Sequence, residues 1–397
     1  MKKKNLRSKE WFDNPKDPGL TALYLERYLN YGLKKKDLQS GKPIIGIAQS
    51  GSDLSPCNRH FLSLSKTIKN GVRESGGVPM EFPTHPIQET GKRPTAALDR
   101  NLSYLSLVEV LYGYPIDGVI LTTGCDKTIP AALMAAATVN IPSIVLSGGP
   151  MLDGSYKGKK AGSGTIIWEA RKLHAKGEIT YDEFMDMAIA SAPSIGHCNT
   201  MGTASTMNSI AEALGMSLTG SAIIPAPYKE RENISYKTGK RIVEMVHEDL
   251  TPSKIMTEKA FENAVYVASA IGGSSNCPPH LTSIARHMGI DFGLDNWGKF
   301  GYDIPLLANC QPAGEHLMEG FFKAGGVPAI MQELMKNNKL NKNAMTVTGK
   351  TIEENLKINI NVDKDVIKTF KNPLVKNAGF IVMKSNFFSS AVMKTSA

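Results

Sequence analysis

Residues 118–130 read Gly118-Val119-Ile120-Leu121-Thr122-Thr123-Gly124-Cys125-Asp126-Lys127-Thr128-Ile129-Pro130, and Ala131-Ala132-Leu133-Met134-Ala135-Ala136-Ala137 follows directly. A short run of Val and Ile, a glycine turn, and an alanine-rich stretch with proline near its start make a strand-turn-helix unit. β-branched residues suit a pleated strand, and proline suits a first helical turn. The pattern predicts a strand over 118–122 and a helix over about 130–137. Similar apolar runs at 43–48, 78–83 and 143–146 predict three more strands. Each is followed by a turn signal and then a helical pattern, which is the arrangement of a parallel sheet with crossover helices. The fold class is therefore α/β.

Working outward, Phe61, Leu64, Ile68 and Val72 recur at spacings of three and four before Gly76-Gly77, giving one apolar helix face. Tyr104, Leu107, Val108 and Leu111 repeat the pattern before Gly113. Further helices are expected from near Cys198 to Leu214, and over 181–190, 237–249 and 257–270. From Ala344 the texture changes to short β-like runs, 345–348 and 380–383, between Asn- and Lys-rich stretches. This divides the chain into an α/β domain over 1–353, a linker over 354–370, and the start of a mostly β domain over 371–397. The last residues, from Phe387, are partly apolar with no closing helix, so the chain is expected to stop inside that second domain.

The composition is ordinarily globular, with 42% hydrophobic residues in 397. No apolar run follows Lys2-Lys3-Lys4 to make a signal peptide, and none reaches the length of a membrane helix. The expected compartment is the cytoplasm. The net charge of +9 is scattered, without an arginine-aromatic stripe, which argues against nucleic acid and suits an anionic small substrate.

There are five cysteines and no CxxC pair, so neither a disulfide framework nor a zinc ribbon is indicated. Cys310 lies in an apolar run and reads as a buried thiol. Cys57, in Ser55-Pro56-Cys57-Asn58, Cys125, in Thr123-Gly124-Cys125-Asp126, and Cys198, in Gly196-His197-Cys198-Asn199, share another context: each precedes a helical pattern. Free N–H groups and the positive dipole end at a helix start favour thiolate and metal ligation. At least Cys57 and Cys125 also follow strands, and open α/β sheets bind ligands beyond the carboxyl ends of their strands. Spacings of roughly seventy residues do not specify a metal site by themselves.

The flanking segments are more specific. Thr123 to Thr128, Ser147-Gly148-Gly149-Pro150-Met151, and the run from Gly196-His197-Cys198-Asn199 to Asn208 resemble the family that unites dihydroxy-acid dehydratase with the sugar-acid and phosphogluconate dehydratases. The likeness runs from about Leu6 to the last residue. It implies an iron-sulfur cluster held by Cys57, Cys125 and Cys198, and the presence of Cys57 favours 2Fe-2S over 4Fe-4S. It also implies magnesium held by Glu89, Asp126 and Lys127, the lysine being carbamylated in relatives so that it presents an oxygen. Taken alone, Glu89 reads as a surface carboxylate beside Lys92 and Arg93, Asp126 as a helix cap, and Lys127 as an exposed lysine.

Three thiolates leave one iron open to act as a Lewis acid on a substrate hydroxyl, while magnesium on the carboxylate and C2 hydroxyl acidifies the C2 proton. The implied reaction removes water from a 2,3-dihydroxy acid to give a 2-keto-3-deoxy acid. Asn199-Thr200-Met201 after the third cysteine resembles the sugar-acid branch. So do Met80 to Pro83, Arg93 to Leu102 and Ile224 to Tyr228, with D-xylonate the foremost expected substrate. L-arabinonate stays open, and branched-chain dihydroxy-acid dehydratase is the runner-up. Relatives continue for roughly another 150–200 residues and carry there the serine thought to abstract the C2 proton. A non-catalytic iron-sulfur-binding fragment is the alternative of another class. By resemblance the protein is a dimer or tetramer of identical chains.

Two glycine-rich stretches, 147–150 and 271–276, match no nucleotide fingerprint and read as tight turns. Cys277 follows the second and is not a matched ligand. His60, His197 and His280 titrate near neutrality but read as satisfied structural groups outside the catalytic set.

Overall fold

The apolar runs form strands where they were expected: β1 Ile44–Gln49, β2 Val78–Pro83, β3 Gly118–Thr123 and β4 Ser143–Ser147. In the computed structural model, which describes residues 6–30, 32–89, 91 and 96–396, they pair in parallel in the order β2-β1-β3-β4. Lys2 to Lys4, Lys92 and Arg93 to Thr95 of the features above lie outside the described residues. β1, β3 and β4 are buried along their whole length, as continuous Val and Ile runs require when both faces are covered. β2 lies at one edge of the sheet, and its exposure varies along its length.

Helices cover the sheet. The Ala-rich helix Thr128–Val139 is buried through most of its length and closes on Asn140 in the left-handed conformation. It packs between Ala97–Gly113 and Cys277–His287. The apolar stripe from Phe61 becomes the helix Phe61–Glu74, which lies against Lys229–Glu248. Two glycines permit that approach: a Cβ on Gly71 would meet the Tyr236 carbonyl oxygen at 2.2 Å, and one on Gly239 the Ile68 oxygen at 2.3 Å. Gly239→Ala is accordingly expected to destabilise the protein by about 1–3 kcal/mol through overpacking. Urea unfolding measures this, and an unchanged midpoint would mean that the two helices do not meet so closely.

Two expectations are corrected. The helix after Cys198 starts only at Thr203, because residues 198–202 are held in a loop described below. The run 345–348 is not a strand: Met345 bridges Thr351 across a turn in which Thr346 Oγ1 donates to the Lys350 oxygen and Gly349 takes φ 76°. The threonine hydroxyls close their own turn and leave no edge to pair.

A second apolar cluster gathers Ile304, Leu307, Phe321 and Ile330 away from the sheet. Val366 and Ile367, in the stretch 354–370, are buried against it. Beyond, β7 Phe380–Met383 and β8 Ala391–Lys394 form an antiparallel pair, and Phe380 packs edge-on against the buried Trp297. The remaining strands, β5 Gly154–Tyr156 and β6 Lys159–Ala161, form a hairpin over a small third cluster. Among the described residues no helix is long and apolar enough to cross a membrane.

Candidate active site

All three thiols lie at the carboxyl ends of the central strands. Cys57 sits in a 3-10 turn, Pro56–Asn58, after β1, and Cys125 two residues beyond β3. Cys198 reaches the same edge by another route. His197 N–H donates to the Gly149 oxygen at 3.0 Å, and Met151 N–H donates to the His197 oxygen at 2.9 Å, so the loop lies beside the chain leaving β4.

Two asparagines, each just after a cysteine, hold these loops. Asn58 is fully buried, and its Oδ1 accepts from Cys125 N–H at 3.0 Å, tying the first two cysteine loops together. Gly124 has no room for a side chain, since a Cβ would fall 2.3 Å from that oxygen. Asn199, equally buried, accepts from Ser163 N–H at 2.8 Å and donates to the Leu152 oxygen at 2.8 Å. The repeated Cys-Asn pair was the sequence signal for both, and it passed unread. Arg231 was missed as well. It is fully buried, donates Nη1 to the Ser147 oxygen at 2.5 Å and Nη2 to the Ile224 oxygen, and so fastens the 147–150 turn. A Cβ on Gly149 would meet the Ile224 oxygen at 2.0 Å, so this glycine stretch is a packed turn with no room to cradle a phosphate.

The thiols of Cys57 and Cys125 share a hydrogen bond, and Cys198 is close enough to act on both electrostatically. The loop before residue 91 covers them: Gln88 Nε2 donates to Cys57 Sγ at 3.4 Å and Glu89 N–H to Cys125 Sγ at 3.5 Å. The expectation that helix starts would favour thiolate in all three does not hold. Only Cys57 is shifted down, by the hydrogen bond from Cys125. Cys125 is pushed up by that same hydrogen bond and by burial, and Cys198 is pushed up to about 12 by burial and the Asp126 carboxylate. Three neighbouring thiols, that of Cys125 buried and those of Cys57 and Cys198 half-buried, with an acid beside them become thiolates together only when a cation supplies the opposing charge. That chemistry fits a metal centre.

Glu89, Asp126 and Lys127 come together next to the thiols. Lys127 is buried, with Nζ 3.2 Å from Glu89 Oε2. Asp126 does not cap the helix that follows it. Its carboxylate accepts from the Thr203 hydroxyl and Ala204 N–H, at the start of the helix Thr203–Ala213. Burial pushes the Asp126 carboxyl up, Lys127 pulls it down, and the like charge of Glu89 pushes it up again. Two crowded carboxylates fit a divalent cation. The second glycine stretch belongs to the same place: Ser274 Oγ lies 2.9 Å from Thr203 Oγ1, and Asn276 Nδ2 donates to Thr203 Oγ1 at 2.9 Å. Among the described residues no group of three or more His, Cys, Asp or Glu is spaced to hold a metal ion as the side chains stand. A cleft of about 930 Å³ at the β2 edge, bordered by Trp11, Tyr28, Met80 and Phe82, contains none of these groups.

The three histidines differ. His197 is engaged on both nitrogens, by the Cys198 oxygen at 3.0 Å and Asn208 Nδ2 at 3.3 Å. His60 Nε2 lies 2.9 Å from the Gly148 oxygen, and Nδ1 has no partner. Burial pushes the His60 imidazole down to about 4. An unfolded histidine titrates near 6.5, so this contribution to stability is complete above that pH and is lost as the pH falls toward 4. The loss is about 3 kcal/mol for this group. His60→Gln, which keeps a donor for Gly148, is expected to flatten the fall in unfolding free energy over that window. An unaltered slope would contradict a buried neutral imidazole.

Residues 42–355 match the family described as dihydroxy-acid/6-phosphogluconate dehydratase, N-terminal. The chain is 58% identical to D-xylonate dehydratase of Caulobacter vibrioides over 99% of its own length and 66% of that protein's. It is 44% identical to L-arabinonate dehydratase of Rhizobium leguminosarum bv. trifolii, over 100% of its length and 69% of that protein's. Against dihydroxy-acid dehydratase of Caldanaerobacter subterraneus the identity is 37%, over 94% of this chain and 68% of the other. The chain thus spans about two thirds of the length of the curated relatives it matches.

Proposed function

The chain belongs to the dihydroxy-acid and 6-phosphogluconate dehydratase family, and from that membership we propose that it removes water from a sugar acid, D-xylonate foremost, to give a 2-keto-3-deoxy acid. The observation that carries this reading is the meeting of Cys57, Cys125 and Cys198 with Glu89, Asp126 and Lys127 at one edge of the sheet. The three thiols would hold a 2Fe-2S cluster; the two carboxylates, with Lys127 as a carbamate, would hold magnesium. When bound, these groups supply a Lewis acid for the departing hydroxyl and a cation that acidifies the C2 proton.

The chain's own groups do the positioning. Asn58 and Asn199, both buried, fix the loops on which the sulfurs stand. The Gln88 side chain and Glu89 N–H donate toward sulfur, which lowers the charge each thiolate must carry. The hydrogen bonds from Thr203 and Ala204 favour the ionised form of the Asp126 carboxyl and oppose the upward push of burial. A protein of this kind works in the cytoplasm as a homo-oligomer, in keeping with the family resemblance.

The 58% identity to a D-xylonate dehydratase, against 37% to a dihydroxy-acid dehydratase, supports the sugar acid over the branched-chain one. The test is an anaerobic assay of the protein expressed from its complete reading frame on D-xylonate, L-arabinonate and 2,3-dihydroxyisovalerate. The 2-keto acid should form fastest from D-xylonate. Preference for 2,3-dihydroxyisovalerate would overturn the substrate assignment, and no product from any of the three would overturn the reaction.

A further inference from the structure

His280 stands in the first turn of the helix Cys277–His287 and is 5% exposed. Its two ring nitrogens have different surroundings. Nδ1 lies 2.9 Å from Nη1 of Arg100. A guanidinium can only donate, so Nδ1 must present its lone pair, and in the neutral ring the proton sits on Nε2. Nε2 is buried and has no hydrogen-bond partner. Burial, then the charges of Lys127 and Arg100, push the imidazole down to about 3, so the ring is neutral at ordinary pH.

A buried N–H without an acceptor is rare in native proteins, and it is relieved when a ligand brings the acceptor. His280 is the one of the three buried histidines placed this way. His197 is satisfied, and the unpaired Nδ1 of His60 offers a lone pair because its proton is on the nitrogen facing the Gly148 oxygen.

The position of His280 says what the acceptor is. Asn276, at the head of the same helix, donates to Thr203, and Thr203 in turn donates to Asp126. Cys277 is close enough to Asp126 and Lys127 to feel both charges. The start of the helix that carries His280 therefore lies on the flank of the Asp126–Lys127 pair formed by the second glycine stretch, with His280 near enough to feel the charge of Lys127, whereas Asn58, Gln88 and Ser163 attend the thiols. A guanidinium bonded to Nδ1 polarises the ring and strengthens Nε2–H as a donor, which favours an anionic acceptor over a neutral hydroxyl.

We propose that His280, through Nε2–H and with Arg100 behind it, binds the carboxylate of the substrate. This assignment rests on the sugar-acid reading above and adds to it: the carboxylate is held by a protein donor on the flank of the metal-binding residues away from the sulfurs. Arg100 acts through His280 by fixing its tautomer and is a positioning residue.

The test is calorimetric binding of D-xylonate, and of the neutral D-xylonamide, to the anaerobically prepared, magnesium-loaded protein and to His280→Asn, His280→Gln and His280→Ala. Asparagine can still offer Arg100 an acceptor but has no donor where Nε2 stands, whereas glutamine places an amide N–H near that point. His280→Asn and His280→Ala are expected to weaken D-xylonate roughly 10- to 100-fold, and His280→Gln by only about threefold. The amide should lose several-fold less than the acid. A merely structural role predicts the opposite order, with asparagine benign because the Arg100 contact survives; that order, or equal losses for acid and amide, overturns the proposal. Parent protein that binds D-xylonate beside unchanged variants sinks this assignment alone. Parent protein that binds no sugar acid sinks the proposed function together with it.

Discussion

Cys125→Ser is expected to strip the protein of essentially all its iron, whereas Cys277→Ser and Cys310→Ser leave the iron content unchanged. Cys125 stands at the centre of the thiol group: it shares a hydrogen bond with Cys57, accepts Glu89 N–H, and is near Cys198. Serine fits the same space, so the backbone clamp from Asn58 to residue 125 survives. What it lacks is a thiol, which gives up its proton to a bound cation far more readily than a hydroxyl does and binds iron as a soft ligand. Cys277 and Cys310 are as deeply buried as Cys125, but the first lies among Asp126, Lys127 and Lys394 and the second in the second apolar cluster. Iron analysis of the three variants after identical anaerobic purification separates ligands from buried thiols. Equal retention by Cys125→Ser and its parent would remove this thiol from the ligand set.

Asp126→Asn is expected to lower magnesium affinity by more than about 100-fold, beyond what changes outside the ligand shell produce, while raising the unfolding midpoint of the metal-free protein. The two effects have one cause. Burial and the charge of Glu89 push the Asp126 carboxyl up, so its ionised form is a burden on the fold in the absence of a cation. Asparagine keeps an oxygen that accepts Ala204 N–H and discards the charge. Gain of stability with loss of function is the mark of a group placed for binding at some expense to the fold. Magnesium titration followed calorimetrically, beside thermal unfolding in chelator, measures both. A variant that loses stability and keeps magnesium would mean that Asp126 serves the fold.

What the sequence made legible follows from the range over which each signal acts. The strands are local features: apolar runs bounded by turns place β1 to β4 to within a residue at each end, and in β1, β3 and β4 burial along the whole length leaves no polar alternation to confuse them. Helix starts were less visible. Lys229–Glu248 begins eight residues before the expected 237, since its first turns carry Lys229, Glu230 and Glu232 on polar faces. Cys57 and Cys125 could be placed at the sheet edge from the strands before them. Cys198 could not, because the hydrogen bonds that tie His197 to Gly149 and Met151, in the chain beyond β4, join residues nearly fifty apart. The roles of Asn58, Asn199, Arg231 and Thr203 are equally nonlocal. The three histidines looked alike in sequence and are told apart only by what lies against each ring nitrogen.

The most direct test is the iron and acid-labile sulfide content of the anaerobically purified protein, read beside its visible spectrum. Binding by Cys57, Cys125 and Cys198 predicts about two iron and two sulfide per chain with the bands of a 2Fe-2S cluster. A colourless protein without sulfide, or one with about four iron and four sulfide per chain, would contradict it.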